Sequence, residues 1–343
     1  MNNPELNHDL FTPWLEQWQL TIEGEAFASR NGYLLPVSQG GQPAMLKVSQ
    51  EPEEQAGAQL MAWWAGEGAA PVLAHDHEAL LLQRAQGRAT LAGMVADDAD
   101  DQATHILCRV IGRLHKPSPK PLPALVPLQQ RFESLWGAAA AHGGILQLCA
   151  ASARELLASP RDVGVLHGDV HHGNVLDFGA AGWLAIDPKG LYGERGFDYA
   201  NIFCNPDHHS ALAPGRFARR LEIVAAASGI ERSRLLRWVL AWAGLSASWM
   251  LEDHEDPGGV MQVAKLAGSA LGLIELAVGA LPATGRVPMA VISDTSPTAG
   301  HRCTRSPAWF PDNCSAPTGR VRGQCRCVSC RPTALRQRSV ASS

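Results

Sequence analysis

The sequence predicts an α+β protein of two lobes, the first rich in strands and the second rich in helices. Three observations predict it. Short runs between residues 18 and 48 read as strands around a Gly-Gly turn. Long segments after residue 100 carry apolar side chains at helical spacing. Short apolar runs return between residues 163 and 186, flanked on both sides by helical segments. The chain has 343 residues, 46% of them hydrophobic and 18% charged, with a formal net charge of -4. That is ample for a buried core and for one large or two modest domains.

In the first lobe, WQLTIEG alternates from Trp18, and YLLPV and AMLKV flank Gln39-Gly40-Gly41-Gln42. Gly-Gly between apolar runs signals a hairpin. Pro52 to Trp64 has proline at its start, glutamate in its first turn and apolar residues at helical spacing, with Gly66 and Gly68 to close it. Those features predict a helix. Ala79 to Gln83 is a short apolar strand, and residues 84 to 88 form a linker.

In the second lobe, Gln102 to His115, Leu128 to Ala141 and Leu146 to Ala158 fit amphipathic helices. Pro117, Pro119, Pro121 and Pro123 make a stiff connector between the first two, because proline fixes φ and offers no donor. Strands are expected at Val163 to Leu166, Val175 to Phe178 and Trp183 to Ile186. Helices are expected at Gly215 to Ser228, Arg232 to Leu251 and Val260 to Leu281. The domain organisation is therefore a first lobe over residues 14–86, a helical lobe over 87–281 and a tail over 282–343.

The tail is rich in Ser, Pro, Arg, Gly and Cys and lacks any helical period, which predicts disorder. Of eight cysteines, Cys303, Cys314, Cys325, Cys327 and Cys330 fall in it, without the paired knuckles that a zinc site uses. The abrupt change in composition suggests a non-homologous extension. Cys108, Cys149 and Cys204 lie in the apolar body and read as reduced core thiols.

The mild acidity gives no reason to expect nucleic acid as a partner. The start, MNNPELNHDL, has neither a basic nor an apolar leader region. Leu235 to Leu251 is interrupted by Arg237 and is short of the roughly 20 apolar residues that a bilayer requires. The expectation is a soluble, cytoplasmic protein with no membrane association and no implied protein partner.

Chemistry is concentrated in residues 165 to 203, VLHGDVHHGNVLDFGAAGWLAIDPKGLYGERGFDYANIF. An apolar run delivers His167-Gly168-Asp169, with Asn174 five residues after the aspartate. A strand, a Gly179-to-Gly182 turn and a second strand then lead to Asp187. A loop followed by a hairpin can bring Asp169, Asn174 and Asp187 to one mouth. Phosphoryl transfer needs a carboxylate to take the proton of an attacking hydroxyl, and oxygen ligands to hold Mg²⁺ against phosphates. Asp169 suits the first role, and Asn174 and Asp187 suit the second. The order H-x-D-x-x-x-x-N, followed by a strand pair ending in Asp, matches the catalytic and metal loops of kinases.

Lys47 ends a first-lobe strand, where a lysine facing a cleft can pair with phosphate oxygens. Glu53 or Glu54 on the following helix can fix its ammonium, with Glu54 preferred. No GxGxxG occurs, so the loop from Gly24 to Gly32 must cover phosphates otherwise, through Ser29 and backbone N–H groups. Gln83, Arg84 and Ala85 stand where an adenine would meet a hinge.

LHGDVHHGNVLDF followed by WLAIDPKGLYGERGFDYANIF resembles the aminoglycoside phosphotransferases, nearest the streptomycin 6-phosphotransferases, over about residues 14 to 280. The resemblance implies a bilobal protein-kinase-like fold. It also implies ATP-dependent O-phosphorylation of an aminoglycoside, streptomycin at position 6, as a route to antibiotic resistance. It gives Asp169 as base and Asn174 and Asp187 as Mg²⁺ ligands. His167 then braces the catalytic loop, and Asp198 ties that loop to the next helix. The chain departs from the pattern at His172-Gly173-Asn174, where those enzymes read HHEN. It also departs at Lys189: lysine is usually a solvated surface residue, while a cation beside Asp187 could assist a phosphate or compete with the metal.

Streptomycin carries guanidinium groups, which pair with carboxylates. Candidates for such contacts are Asp207, Glu252 and Asp253, with Glu255 and Asp256 nearby. Trp242 and Trp249 share a helix face and read as core rather than as stacking platforms. Two alternatives remain: a kinase of this fold for another small hydroxyl compound, and an inactive nucleotide-binding module. The intact Lys47, Asp169, Asn174 and Asp187 argue against the second.

Overall fold

A computed structural model of the chain describes residues 8–29 and 31–275. The expected tail over 282–343, its cysteines and the last part of the helix expected to reach Leu281 lie outside the described residues.

The first lobe is built on a six-stranded sheet. Its strands are β1 (Leu20–Ile22), β2 (Phe27–Ser29), β3 (Gly32–Gln39), β4 (Gln42–Val48), β5 (Val72–His75) and β6 (Ala79–Gln83). All pairings are antiparallel, in the order β1-β3-β4-β6-β5, with β2 also on β3. Gln39 pairs with Gln42, so Gly40 and Gly41 alone make the β3–β4 turn. Their φ values of 56° and 83° suit glycine and explain the pair.

Alternation then assigns the two faces. Leu35, Val37, Ala44, Leu46 and Leu81 pack beneath Phe11 and Trp14, at the start of helix α1 (Thr12–Gln17). Leu34, Met45, Leu80 and Leu82 face the other way, into the main core with Leu60, Met61 and Trp64 of helix α2 (Pro52–Trp64). Lys47, two residues after Met45, is thereby directed toward α2. Neither α1 nor β5 was expected from the sequence.

The second lobe contains α3 (Leu91–Ala96), α4 (Asp100–Leu114), α5 (Leu128–Arg131), α6 (Glu133–His142) and α7 (Ile145–Ala158). Later come α8 (Gly196–Ala200), α9 (His208–Ala211), α10 (Arg216–Ser228), α11 (Arg232–Glu252) and α12 (Gly258–Ala270). Helix α11 runs through the core, with Trp238 and Trp242 fully buried, while Trp249 is packed at its edge. Among the described residues no helix is long and apolar enough to cross a membrane. Cys108, Cys149 and Cys204 are buried and free, as expected. Burial pushes the Cys108 and Cys149 thiols up to about 12.

Short strands interrupt these helices. β7 (Val126–Pro127), β8 (Val163–Leu166) and β11 (Leu191–Glu194) form one sheet, and β9 (Val175–Asp177) with β10 (Trp183–Ala185) forms a hairpin. The hairpin joins the lobes. The Ala185 N–H donates to the Gly68 carbonyl at 2.9 Å, and the Ala70 N–H donates to the Ala185 carbonyl at 2.8 Å. The linker is pinned to the same hairpin, its Gly87 N–H donating to the Asp177 carbonyl at 2.9 Å.

Candidate active site

Strand β8 ends at Leu166, and the loop from His167 to Asn174 follows it into β9. His167 is fully buried. One ring nitrogen, Nε2, lies 2.9 Å from the Ile186 carbonyl, and Nδ1 accepts the Asp169 N–H at 3.2 Å. Those two contacts fix the neutral tautomer with its proton on Nε2. Burial lowers the pKa of this histidine despite nearby carboxylates. Asp198 on α8 holds the loop from below. It accepts the His167 N–H at 2.9 Å and the Gly168 N–H at 2.7 Å, and faces His115 Nε2 at 2.8 Å.

The carboxylate of Asp169 is aimed by two amides. Asn201 Nδ2 donates to Oδ1 at 3.0 Å, and Asn174 Nδ2 reaches Oδ2 at 3.3 Å and the Asp169 carbonyl at 3.0 Å. His171 Nε2 stands 3.8 Å from Oδ2, while its Nδ1 accepts the Gly173 N–H at 3.0 Å. Asp169 and Asn174 are thus together. Asp187 joins them through the backbone, since the preceding Ile186 N–H donates to the Asn174 carbonyl at 2.9 Å. Asp187 itself has a φ of 62°, a left-handed conformation that a non-glycine residue adopts at some cost.

A second cluster is built around Asp187. Lys47 Nζ bonds both Glu54 and Asp187. Lys189 Nζ donates to Glu54 Oε1 at 3.0 Å and to Asp187 Oδ2 at 3.2 Å. Two ammonium groups thereby face two carboxylates, and Asn31 Nδ2 adds a bond to Glu54 at 3.1 Å. Burial works against the Lys47 ammonium, but the Asp187 and Glu54 carboxylates outweigh it and raise its pKa. Burial also works against the Asp187 carboxylate, yet Lys189 and Lys47 hold it well below the usual range.

Lys189 is not the solvated surface lysine that its type usually gives, and lies beside Asp187 instead. It is 1% exposed and belongs to the cluster, because its nearest carboxylate outside the motif comes from α2. Glu54 is the Lys47 partner, as preferred. Glu53 pairs instead with Arg131.

The remaining candidates are placed as follows. Ser29 ends β2 and its hydroxyl donates to the Gly32 carbonyl at 2.9 Å. Gln83 ends β6 with its N–H donating to the Pro71 carbonyl at 2.9 Å, and Ala85 is buried at the start of the linker. Asp207 is the N-cap of α9, accepting the Ser210 N–H at 2.9 Å and the Ser210 hydroxyl at 2.8 Å. Glu252 ends α11 and Asp253 caps it. The structure does not join these three to Asp169 by any described bond. Asn201 and Lys189 are the residues that motif reading left without a role. The quoted GFDYAN contained the first, and only the fold reveals what it touches.

The geometry matches what comparison with known proteins finds. Residues 17–254 match the profile of a family described as aminoglycoside/hydroxyurea antibiotic resistance kinase. A streptomycin 3''-kinase from Klebsiella pneumoniae is 51% identical over 244 residues, covering 70% of this chain and 91% of the relative. A streptomycin 6-kinase from Streptomyces glaucescens is 31% identical over 277 residues, covering 74% of this chain and 87% of the relative. Among solved structures, a choline/ethanolamine kinase family protein from Mesorhizobium loti superposes with a TM-score of 0.54 at 15% identity. That match covers 76% of this chain and 90% of the other, and shows a shared fold.

Proposed function

The chain belongs to the aminoglycoside/hydroxyurea antibiotic resistance kinase family and is a phosphotransferase acting on a hydroxyl, and on that premise we propose that it phosphorylates streptomycin with ATP. The observation that carries the reading is an amide-aimed Asp169 on a loop bonded directly to the segment that leads to Asp187, the partner of Lys47. In this reading Asp169 orients the acceptor hydroxyl and takes its proton as the oxygen attacks the γ-phosphorus. The new O–P bond forms as the bond from the γ-phosphorus to the β-bridging oxygen breaks, and ADP leaves with that electron pair. Lys47, fixed by Glu54, faces the phosphate oxygens. Ser29 and the first-lobe loop cover the phosphates, and Gln83 and Ala85 flank the adenine.

The donor set fits Mg²⁺. Asp187 offers carboxylate oxygens and Asn174 an amide oxygen, both hard ligands. Among the described residues no group of three or more His, Cys, Asp or Glu forms a dedicated cage. When bound, Mg²⁺ supplies charge neutralisation at the transferring phosphate.

Position 3'' of streptomycin is the favoured acceptor, because identity to the 3''-kinase is 51% against 31% for the 6-kinase. Position 6, the sequence expectation, is the second reading. Asp207, Glu252 and Asp253 are proposed contacts for the guanidinium groups, and the cytoplasm is the proposed setting. Mass spectrometry of streptomycin incubated with the protein and Mg-ATP tests the reading. The expected product has gained one phosphoryl group, and Asp169→Ala abolishes it. NMR of the product assigns the position. No product from streptomycin, but turnover of another small alcohol, would sink the substrate assignment.

A further inference from the structure

A continuous line of buried hydrogen bonds leads away from Asp169 into the helical lobe. Asn201 donates to Asp169 Oδ1 at 3.0 Å. Asn205 Nδ2 in turn donates to Asn201 Oδ1 at 2.6 Å and to the Asn201 carbonyl at 3.0 Å. Arg220 Nη1 on α10 donates to the carbonyls of Asn205 and Ile202, each at 2.6 Å. The same guanidinium grips Asp100 at the start of α4, with Nη2 to Oδ1 at 2.6 Å and Nε to Oδ2 at 3.1 Å. Asn201, Asn205 and Arg220 are each 1% exposed.

The parts have distinct physical jobs. Residues 201–204 are a 3-10 turn continuing α8, and such an end leaves carbonyls without partners inside the helix. A cation near those carbonyls is favourable. Arg220 fills that place, and its forked pairing with Asp100 sets its own direction. The turn is therefore locked in rotation, and with it the side chain of Asn201. The Asn205 bond to Asn201 Oδ1 also decides the amide orientation, because it leaves Nδ2 as the face toward Asp169. A carboxylate that must meet an incoming hydroxyl gains from having one oxygen pinned, since small errors in approach cost rate steeply.

We propose that Asn201 is a positioning residue for Asp169, oriented by Asn205 and by the Arg220–Asp100 pair that clamps the turn carrying it. The proposal rests on the reading of Asp169 as the base. It concerns turnover, because the line ends on Asp169.

The test uses the full-length protein with streptomycin and Mg-ATP, comparing Asn201→Asp, Asn201→Ala, Asn205→Ala and Asp169→Asn. Asn201→Ala deletes the donor to Asp169 without adding charge, whereas Asn201→Asp keeps the acceptor for Asn205 but sets a second carboxylate beside Asp169, so that variant is also expected to shift the pH profile of kcat upward. The expected result is a fall in kcat of about 10- to 100-fold for both Asn201 variants, with each KM within about threefold of the parent. Asn205→Ala falls less, because Asn201 keeps its bond to Asp169. Thermal unfolding and fluorescence titration with ADP establish that each variant is folded and binds nucleotide. Should Asn201→Asp misfold, Asn201→Ala carries the comparison. An Asn201 variant that keeps parental kcat while Asp169→Asn is inactive overturns the inference alone. An active Asp169→Asn overturns the base assignment beneath it.

Discussion

Asp169 shows how little charge is needed to aim a carboxylate when amides and backbone do it. Its oxygens meet Asn201 and Asn174, and its own N–H meets a histidine ring that is held neutral by burial. Asp169→Asn is therefore expected to fold and to bind nucleotide normally, with kcat lower by about 10²- to 10⁴-fold, as steady-state kinetics will show. His167 supplies a pH dependence. Its folded pKa is lowered below the ordinary value of 6.5, so the unfolded chain binds the extra proton first. Its contribution to stability is then complete above about pH 6.5 and is lost as pH falls through the folded value. The thermal midpoint is expected to drop on acidification through this range, and the part due to His167 is expected to vanish in His167→Asn. Lys189 makes a third residue-scale prediction. Lys189→Met leaves Glu54 and Asp187 sharing the single ammonium of Lys47, so Glu54 loses a 3.0 Å partner and Asp187 a 3.2 Å partner. Removing one member of a buried ion cluster costs about 3 to 5 kcal/mol. Urea denaturation is expected to show that loss, together with a raised KM for ATP.

At the scale of elements, helix α2 is seated on the Asp187 loop by a close approach. A Cβ added at Gly57 would stand 2.2 Å from the Pro188 carbonyl oxygen, a rigid backbone atom. Gly57→Ala is expected to push α2 away, carrying Glu54 off Lys47, and to lower the thermal midpoint and raise KM for ATP together; unchanged values of both would refute it. This seat also explains what the sequence could and could not reveal. The β3–β4 hairpin, α2 and the loop from His167 to Asn174 were legible because each is specified by neighbours within a few residues. The Gly-Gly turn, the proline start and the histidine–aspartate–asparagine spacing are local signals. Strand β5 was not legible, since Val72 to Ala74 are all half-buried and show no alternation. Helix α1 was hidden because its apolar side, Phe11 and Trp14, acquires meaning only against the far face of the sheet. Helix α12 was expected to run on to Leu281 but ends at Ala270, just before Gly272 with a φ of 70°. Lys189 was left open between surface and site for the same physical reason: its partner Glu54 lies 135 positions away in sequence.

At the scale of the whole molecule, the lobes share one continuous core, in which Leu82 and Met45 of the sheet join Leu107, Phe197 and Trp238 of the helices. The described cysteines sit within or beside it with their thiols raised by burial to about 12 or beyond, so they are protonated at neutral pH. Cys108, Cys149 and Cys204 are therefore expected to resist iodoacetamide in the native protein and to react once urea unfolds it. Peptide mapping of the alkylated chain reads this directly, and rapid native labelling at these positions would contradict the packing described.

The paired bonds between Ala185 and the Gly68–Ala70 segment assign Asp187 an allegiance that its sequence position hides. The aspartate follows β10, deep in the second half of the chain, yet its strand is stitched to the loop after α2. Its neighbours Ile186 and Lys189 also bond Asn174 and His167 of the Asp169 loop, so Asp187 is fastened to both halves at once. The segment from Ala185 to Lys189 is thus the seam that sets the spacing between the Lys47 side and the Asp169 side, and a strain on either half is felt there first.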